Sequence, residues 1–214
     1  MTGILFDLDG TLLNTLEDLT DATNHVLREF GFPECSVERV RRAIGNGAAN
    51  QLRKCAPEGT PEKTIEQMLA VYKSYYTAHC QIKTRPYNGI PEALAVLKAC
   101  YPVAIVSNKP DSAVKSLCTE YFPGIHALGE SADCPRKPAP DMVYKAMQAV
   151  GVDRCIYVGD SEVDVLTAQH AKVPCLSVLW GFRDREDMAA AGALHFCENP
   201  NQMVEKIEEI IHGK

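Results

Sequence analysis

Short stretches of uninterrupted apolar residues recur along this chain, and segments with helical periodicity lie between them. The apolar stretches occupy residues 4–8, 102–107, 155–159 and 174–179, with a weaker one at 193–197. Continuous apolar runs of this length are typical of strands that are buried on both faces of a parallel sheet. The helical patterns lie at 91–99, 111–121, 141–150, 162–171 and 201–211. The alternation of strand and helix therefore predicts an α/β fold with a parallel sheet covered by helices on both sides.

The region from about residue 15 to residue 81 lacks this alternation and is predicted to be helical throughout. Gly31 ends a first helical pattern, Ser36 is a suitable N-cap for a second, and Gly45-Asn46-Gly47 interrupts the chain after it. Thr60-Pro61-Glu62 is a good start signal for a longer helix. The sequence therefore predicts an all-helical insert of roughly 65 residues after the first strand.

The composition narrows the class of protein further. The chain has 214 residues, of which 46% are hydrophobic and 23% charged, which fits one large domain or one domain with an insertion. The net charge of −6 and the lack of a basic run disfavour a nucleic-acid partner. The nine cysteines form no CxxC pair and are expected to be free thiols in a reducing cytosol. No signal peptide and no apolar run of about 18 residues is visible, so a cytoplasmic protein without a membrane partner is expected.

Two aspartates, Asp7 and Asp9, stand at the end of the first apolar run with one leucine between them. In an open parallel sheet, ligands bind at the carboxyl ends of the strands, and residues two apart in a strand point the same way. An ordinary Asp-Gly turn would explain Asp9-Gly10 alone. The whole DxDGT phrase arises by chance at a given position only about once in 10⁵, so we interpret it as functional.

A hydroxyl and a lysine are the next candidates along the chain. Ser107 ends the second apolar run and is followed by Asn108-Lys109-Pro110. Its hydroxyl and the neighbouring backbone N–H groups can hold phosphate oxygens, although ordinary turn chemistry is the alternative. Lys137 is flanked by Arg136 and Pro138-Ala139-Pro140. The prolines limit how this segment can move, and the lysine can reach inward as a point charge instead of being solvated.

A second acidic pair follows the third apolar run. Asp160 and Asp164 are four residues apart, so on a starting helix they share one face. Acidic residues at this place also stabilise a helix N-terminus, which is the alternative role. Carboxylate oxygens without a nearby His or Cys are ligands that suit a hard cation such as Mg²⁺.

These four segments, in this order, resemble the motifs of the haloacid dehalogenase-like (HAD) hydrolase superfamily. The resemblance covers residues 1–13 and 86–214, and the helical insert is similar in position and character to the superfamily's C1-type cap. It implies a Rossmann-like parallel sheet flanked by helices, with an inserted all-helical C1-type cap. The implied domains are a catalytic core of residues 1–14 and 84–214 and a cap of residues 15–83.

The resemblance also implies roles for individual residues. Asp7 is the expected nucleophile, which forms an aspartyl-phosphate, and Asp9 is the expected general acid and base. Phosphate is expected to be bound by Ser107, Asn108, Lys137 and Thr11. Mg²⁺ is expected to be held by Asp7, the backbone carbonyl of Asp9, Asp160 and Asp164. Thr11 is placed in the motif turn, where it is able to hold the Asp9 side chain, and completing the turn is an equally compatible role.

Three segments are most similar to the phosphoglycolate phosphatase branch of the superfamily, namely residues 107–110, the loop around residues 45–47, and VLWGFRDRE at residues 178–186. The similarity implies a Mg²⁺-dependent phosphatase that acts on a small phosphorylated metabolite, most of all 2-phosphoglycolate, as a monomer or homodimer. The alternatives are a β-phosphoglucomutase-like sugar isomerase, a pyrophosphatase of the same superfamily, and a binding module without catalysis.

The helical insert is expected to choose the substrate. Gly45, Asn46 and Gly47 allow backbone N–H groups to approach a ligand near a helix N-terminus, although a plain helix-breaking loop is equally compatible. Nearby candidates to meet a substrate carboxylate are Arg41, Arg42 and Arg53, although a solvated surface is the favoured role for each.

Overall fold

The computed structural model describes residues 1–132 and 134–213, which form eight strands and ten α-helices. The strands are β1 (Thr2–Phe6), β2 (Leu13–Asn14), β3 (Arg85–Pro86), β4 (Val103–Pro110), β5 (His126–Glu130), β6 (Arg154–Gly159), β7 (Cys175–Val178) and β8 (His195–Cys197). The helices are α1 (Leu16–Glu29), α2 (Val37–Ala43), α3 (Ala48–Cys55), α4 (Glu62–His79), α5 (Ile90–Cys100), α6 (Asp111–Tyr121), α7 (Asp141–Val150), α8 (Glu162–Ala171), α9 (Arg185–Ala190) and α10 (Met203–His212). Asp133 and Lys214, which the predicted core range includes, lie outside the described residues.

Six of the strands form one parallel sheet in the order β5-β4-β1-β6-β7-β8, so the predicted α/β fold is confirmed. β1 lies near the centre, with Phe6 paired to Ile105 of β4 on one side and to Val158 of β6 on the other. The strand order therefore changes direction at β1. In open α/β sheets the ligand site lies where the carboxyl ends of the strands meet at such a point.

Helices on both faces of the sheet explain the continuous apolar runs. In β1, Ile4 and Phe6 pack into one hydrophobic cluster, while Leu5 points to the other face and packs into a second. The first cluster includes side chains of α5, α6 and α10, and the second includes side chains of α7 and α8. Because both faces are covered, a polar residue at any of these three positions would be buried without water.

The helices α1 to α4 follow β2, and their apolar sides pack on one another through residues such as Val26, Leu52 and Met68. The chain leaves the sheet through β2 and returns through β3, which pair as a short antiparallel ribbon. The Asp18 carboxylate accepts hydrogen bonds from the backbone N–H groups of Lys83 and Thr84 at 3.0 and 2.8 Å, so the two ends of this region are tied together.

The hydrophobic pattern did not predict the ribbon, α9 or the sheet strand β5. The ribbon and α9 are too short to display a period, and the sequence HALGE of β5 is not an uninterrupted apolar run. Among the described helices, none is long and apolar enough to cross a membrane.

Candidate active site

The carboxyl ends of β1, β4 and β6 bring together residues that are far apart in the sequence. Asp7 directly follows β1, Ser107 lies in the last part of β4, and Asp160 directly follows β6. Because β1 pairs in parallel with both β4 and β6, the three ends are adjacent. All three side chains are buried, so the edge of the sheet carries a polar site shielded from water.

Asp7, Asp160 and Asp164 form a cluster in which one carboxylate oxygen of each residue lies within 4.8 Å of the others. Burial, followed by repulsion from Asp164, raises the pKa of Asp7 well above its ordinary value. The same two causes raise the pKa of Asp160 to about 7, against hydrogen bonds from the Phe182 N–H and the Thr11 hydroxyl. These buried oxygens fit a hard divalent cation such as Mg²⁺, which would relieve the repulsion.

Asp164 both caps a helix and belongs to the cluster. Its Oδ2 accepts hydrogen bonds from the backbone N–H and the hydroxyl of Ser161, at 3.1 and 2.6 Å, at the start of α8. Its Oδ1 lies 2.7 Å from the Nζ of Lys137. The capping role that the sequence allowed is therefore present on Oδ2, while Oδ1 accepts from Lys137 inside the cluster.

Lys137 is the cation of this cluster, and its Nζ lies 2.8 Å from Asp7 Oδ1. Burial by itself would lower the pKa of Lys137, but the charges of Asp164 and Asp7 outweigh burial and hold that pKa well above its ordinary value. The Asn108 side chain fixes the backbone of this lysine, since its Oδ1 accepts from the Lys137 N–H and its Nδ2 donates to the Lys137 carbonyl, at 2.8 and 2.9 Å. Two carboxylates therefore hold the ammonium of Lys137 beside Asp7 and Asp164, and Asn108 holds the backbone of the same residue.

Asp9 is held by residues other than the expected one. Its Oδ1 accepts a 2.7 Å hydrogen bond from Thr15 Oγ1 and lies 2.8 Å from Lys109 Nζ. Thr11, which the sequence suggested as able to hold Asp9, instead donates to Asp160 Oδ1 at 3.1 Å, so its hydroxyl does not have that role. The glycine after Asp9 has a positive φ of 83°, and this turn carries Thr11 to the Asp160 side of the site.

Lys109 is a site residue that sequence reasoning did not single out. Its side chain is only 2% exposed, although it carries a charge. Its Nζ donates a short hydrogen bond to the hydroxyl of Tyr76 on α4 and lies 4.5 Å from the centre of that ring. Lys109 therefore connects Asp9 at the sheet to the helical region. Its position two residues after Ser107 was the one signal available in the sequence.

Two glycines are pressed against the Asp160 carboxylate. A Cβ at Gly10 would lie 2.2 Å from Asp160 Oδ2, and a Cβ at Gly181 would lie 2.3 Å from Asp160 Cβ. The backbone N–H of Phe182 donates to the same Oδ2 at 2.7 Å. The segment 178–186, which similarity alone had singled out, thus forms a wall that positions Asp160.

The loop between α2 and α3 is hydrogen-bonded to the sheet region through its main chain. Three of its backbone carbonyl groups accept hydrogen bonds from side chains of the sheet region. The Ile44 carbonyl accepts from Arg183 at 2.6 Å, the Gly45 carbonyl from Asn108 at 3.0 Å, and the Asn46 carbonyl from Arg136 at 3.2 Å. Gly45 and Gly47 both line the cavity described below. Sequence reasoning missed Arg183, whose backbone partners on the helical side lie about 140 positions away and give no local pattern.

The three arginines considered for carboxylate binding have other partners. Arg42 and Arg53 are exposed and pair with glutamates on the surface of the helical region. Arg41 donates to the Phe182 carbonyl at 2.7 Å. None of the three belongs to the residues that line the cavity, so they are placed at the surface or at the contact between helices and sheet.

A cavity lies between the edge of the sheet and the helices. The side of the sheet contributes Asp7, Asp9, Ser107 and Lys137, and the helices contribute Leu19, Gln51, Tyr72 and Tyr76. We call these the floor and the roof of the cavity. The floor carries charged side chains, whereas the roof side chains are uncharged. With a cation bound at the floor carboxylates, the arrangement would suit a small anion at the floor with its remaining atoms against the roof.

The chain matches the family model of the haloacid dehalogenase-like hydrolases over residues 4–178, and it belongs to that family. The family assignment made from the four sequence motifs is therefore confirmed.

Individual relatives give a narrower comparison. Phosphoglycolate phosphatase 1 of Pseudomonas aeruginosa is 31% identical over 221 residues, which cover 97% of this chain and 78% of the relative. The phosphoglycolate phosphatase of Mesorhizobium japonicum is 32% identical over 195 residues, which cover 85% of this chain and 84% of the relative. A crystal structure from Lactobacillus delbrueckii subsp. bulgaricus, described as a candidate phosphoglycolate phosphatase, has a TM-score of 0.89 and 34% identity, and covers 96% of this chain and 97% of that chain. The chain is thus similar to the phosphoglycolate phosphatase branch, as its sequence predicted.

Proposed function

We propose that this chain is a Mg²⁺-dependent phosphatase that hydrolyses a small phosphomonoester, with 2-phosphoglycolate as the first candidate. The observation that carries the proposal is the buried contact of Asp7 with Lys137, 2.8 Å apart, at the carboxyl edge of the sheet. A carboxylate beside a fixed ammonium is suited to attack phosphorus, because the ammonium can neutralise the phosphate oxygens. The names of the relatives support 2-phosphoglycolate as the substrate.

The proposed reaction has two steps that use separate carboxylates. In the first step, an oxygen of Asp7 bonds to phosphorus, and the bond from phosphorus to the ester oxygen breaks. Asp9, which Thr15 and Lys109 hold in place, gives its proton to the departing oxygen. In the second step, Asp9 takes a proton from water, the water oxygen bonds to phosphorus, and the bond to Asp7 breaks. The products are an alcohol and inorganic phosphate.

Ser107 and Lys137 are the donors that we propose for the phosphate oxygens, because both line the floor of the cavity. The Asn108 amide and the Thr11 hydroxyl are already engaged by Lys137 and Asp160, respectively. We therefore assign to Asn108 and Thr11 the task of holding those two residues in position at the phosphate site.

The proposed Mg²⁺ would be held by Asp7, Asp160 and the backbone carbonyl of Asp9. Both oxygens of Asp164 already accept hydrogen bonds from the protein, so we assign Asp164 a supporting place behind these ligands. When bound, the ion supplies positive charge that balances the carboxylates and polarises the phosphate group.

Gly181→Ala should raise the Mg²⁺ concentration needed for half-maximal activity by about 10- to 100-fold, the usual cost of disturbing the support of a metal ligand. The physical reason is the overlap of the added methyl group with Asp160. A titration of activity with Mg²⁺ measures the effect.

Gly59→Ala is the control for this substitution, because a Cβ at Gly59 would meet no atom within 4 Å. Its positive φ of 80° makes the alanine strained, so some stability is lost while the Mg²⁺ requirement stays unchanged. An unaltered Mg²⁺ requirement in Gly181→Ala would contradict the assignment.

We further propose that residues 15–83 act as a cap domain on a core made of residues 1–14 and 84–214. Two observations support this division. The chain passes between the two parts at β2 and β3, which lie side by side. The roof of the cavity is supplied by α1, α3 and α4, so this region is placed to select the leaving group.

Purified protein supplied with Mg²⁺ should release inorganic phosphate from a panel of 2-phosphoglycolate, pyrophosphate, glucose 1-phosphate and p-nitrophenyl phosphate, with the highest kcat/KM for 2-phosphoglycolate. Phosphate release and product analysis measure the result. Conversion of glucose 1-phosphate to an isomer without release of inorganic phosphate would show that the protein is a mutase and not a hydrolase. A folded protein that releases no phosphate from any compound would favour a binding module.

A further inference from the structure

We propose that Lys109 recognises a carboxylate on the leaving group and so separates phosphoesters with a carboxylate close to the ester oxygen from those without one. The inference rests on the phosphatase function proposed above and narrows it. Lys109 is then a specificity-determining residue in addition to its contact with Asp9.

The charges of the cavity point to Lys109 by elimination. Three of the residues that line the cavity are cationic, namely Lys109, Lys137 and Arg183. Lys137 is bound between Asp7 and Asp164 at the phosphate end. The Arg183 guanidinium donates to backbone carbonyls at the end of α2 and to the Glu162 carboxylate. Its donors are therefore used to hold the helical region and a neighbouring side chain. Lys109 is the cation that remains for the leaving group.

The position of Lys109 matches the path that a leaving group would take. Its Nζ lies 2.8 Å from Oδ1 of Asp9, the proposed proton donor. On its other side it contacts the hydroxyl and the ring of Tyr76 in the roof. An ammonium has three donor hydrogens, and these two partners use two of them. Because Lys109 also lines the cavity, its third donor is available to a group that leaves from the phosphate towards the roof.

A carboxylate could not enter this cavity without such a cation. The floor already holds the carboxyl groups of Asp7 and Asp9, and the carboxyl group of Asp160 lines the cavity beside them. The roof side chains are neutral, so they offer no charge to offset a further anion next to Asp9. In 2-phosphoglycolate one carbon separates the ester oxygen from the carboxylate, so a substrate whose ester oxygen meets Asp9 brings its carboxylate to the neighbourhood of Lys109.

The test compares kcat/KM for 2-phosphoglycolate and for ethyl phosphate, which has the same chain length without the carboxylate. In Lys109→Met, the ratio of the two values should fall by about 10- to 100-fold, as expected for the loss of a charged hydrogen bond. An equal loss of kcat/KM for both substrates would reflect the contact of Lys109 with Asp9. Such a loss cancels in the ratio, so the ratio reports the carboxylate alone. Lys98→Met is the matched control, since Lys98 is exposed on α5, and it should leave both values unchanged.

Lys109→Gln is the second variant, because glutamine can still donate to Asp9 and Tyr76 without the charge, and it should lower the ratio similarly. An unchanged ratio in a folded Lys109 variant would overturn the inference and leave the phosphatase function intact. Equal kcat/KM values for the two substrates in the wild-type protein would overturn it as well, even if neither variant folds. Turnover of neither substrate by the wild-type protein would refute the phosphatase function itself.

Discussion

Asp7→Asn should lower the rate of phosphate release by roughly 10⁴-fold or more while the protein remains folded. The amide has the shape of the carboxylate but no negative oxygen that could bond to phosphorus. Lys137 keeps Asp164 as a partner at 2.7 Å, so its charge is not left unpaired. Steady-state phosphate release, together with a thermal melt followed by circular dichroism, measures both parts of the prediction.

The stability of Asp7→Asn follows from the electrostatics of the cluster. Burial and the neighbouring carboxylates raise the pKa of Asp7, which means that its ionised form is disfavoured in the folded protein without metal. A neutral asparagine removes this cost, so we expect a melting temperature at least as high as that of the metal-free wild-type protein.

Asp153→Asn is a suitable control for Asp7→Asn, because Asp153 is exposed and pairs with the amino group of Met1. An exposed pair of this kind contributes little to stability, and activity should not change. Activity of Asp7→Asn within about 10-fold of the wild-type value would disprove the nucleophile assignment.

Removal of divalent metal with EDTA should abolish activity, and added Mg²⁺ should restore it. The three clustered carboxylates repel one another, and a bound cation would offset that repulsion. The same cation should raise the melting temperature, because it binds the folded state and not the unfolded chain. Substantial turnover in a metal-free sample would refute this requirement.

The stabilisation by Mg²⁺ should increase with pH. The pKa of Asp160 is raised to about 7 in the folded protein, above its ordinary value of 3.8. Between these values the metal-free folded state binds more protons than the unfolded state, so this group makes stability fall as pH rises through that window. Mg²⁺ competes with those protons, so the rise in melting temperature should be larger at about pH 8 than at about pH 5.5.

Asp160→Asn is the control for the melting experiment, because it removes one of the proposed ligands and the titrating group together. Its melting temperature should respond less to Mg²⁺ at either pH. A Mg²⁺ effect on the wild-type protein that is equal at both pH values would contradict the link between Asp160 and the ion.

The helical region illustrates how far a local pattern leads. Start and stop signals such as Ser36 and Gly31 predicted separate helices after the first strand, and α1 to α4 lie there. Those signals carry no information on what the helices touch. Arg41 and Arg53 looked equivalent as candidates for a substrate carboxylate, yet Arg41 faces the Phe182 carbonyl and Arg53 pairs at the surface. Side-chain direction at such positions is decided by packing between elements.

By itself, the sequence determined the alternation of buried strands and helices, the order of the four motifs, and the family they belong to. These properties are local, because burial on both faces of a sheet requires uninterrupted apolar runs and a motif is read from neighbouring residues. The tertiary structure alone decided which distant side chains meet. Lys109 reaches Tyr76 across 33 positions, Arg183 reaches the carbonyl of Ile44 across 139, and Thr11 bonds Asp160 across 149. Such contacts depend on how the helices lie against the sheet edge, which no period or motif in the chain encodes.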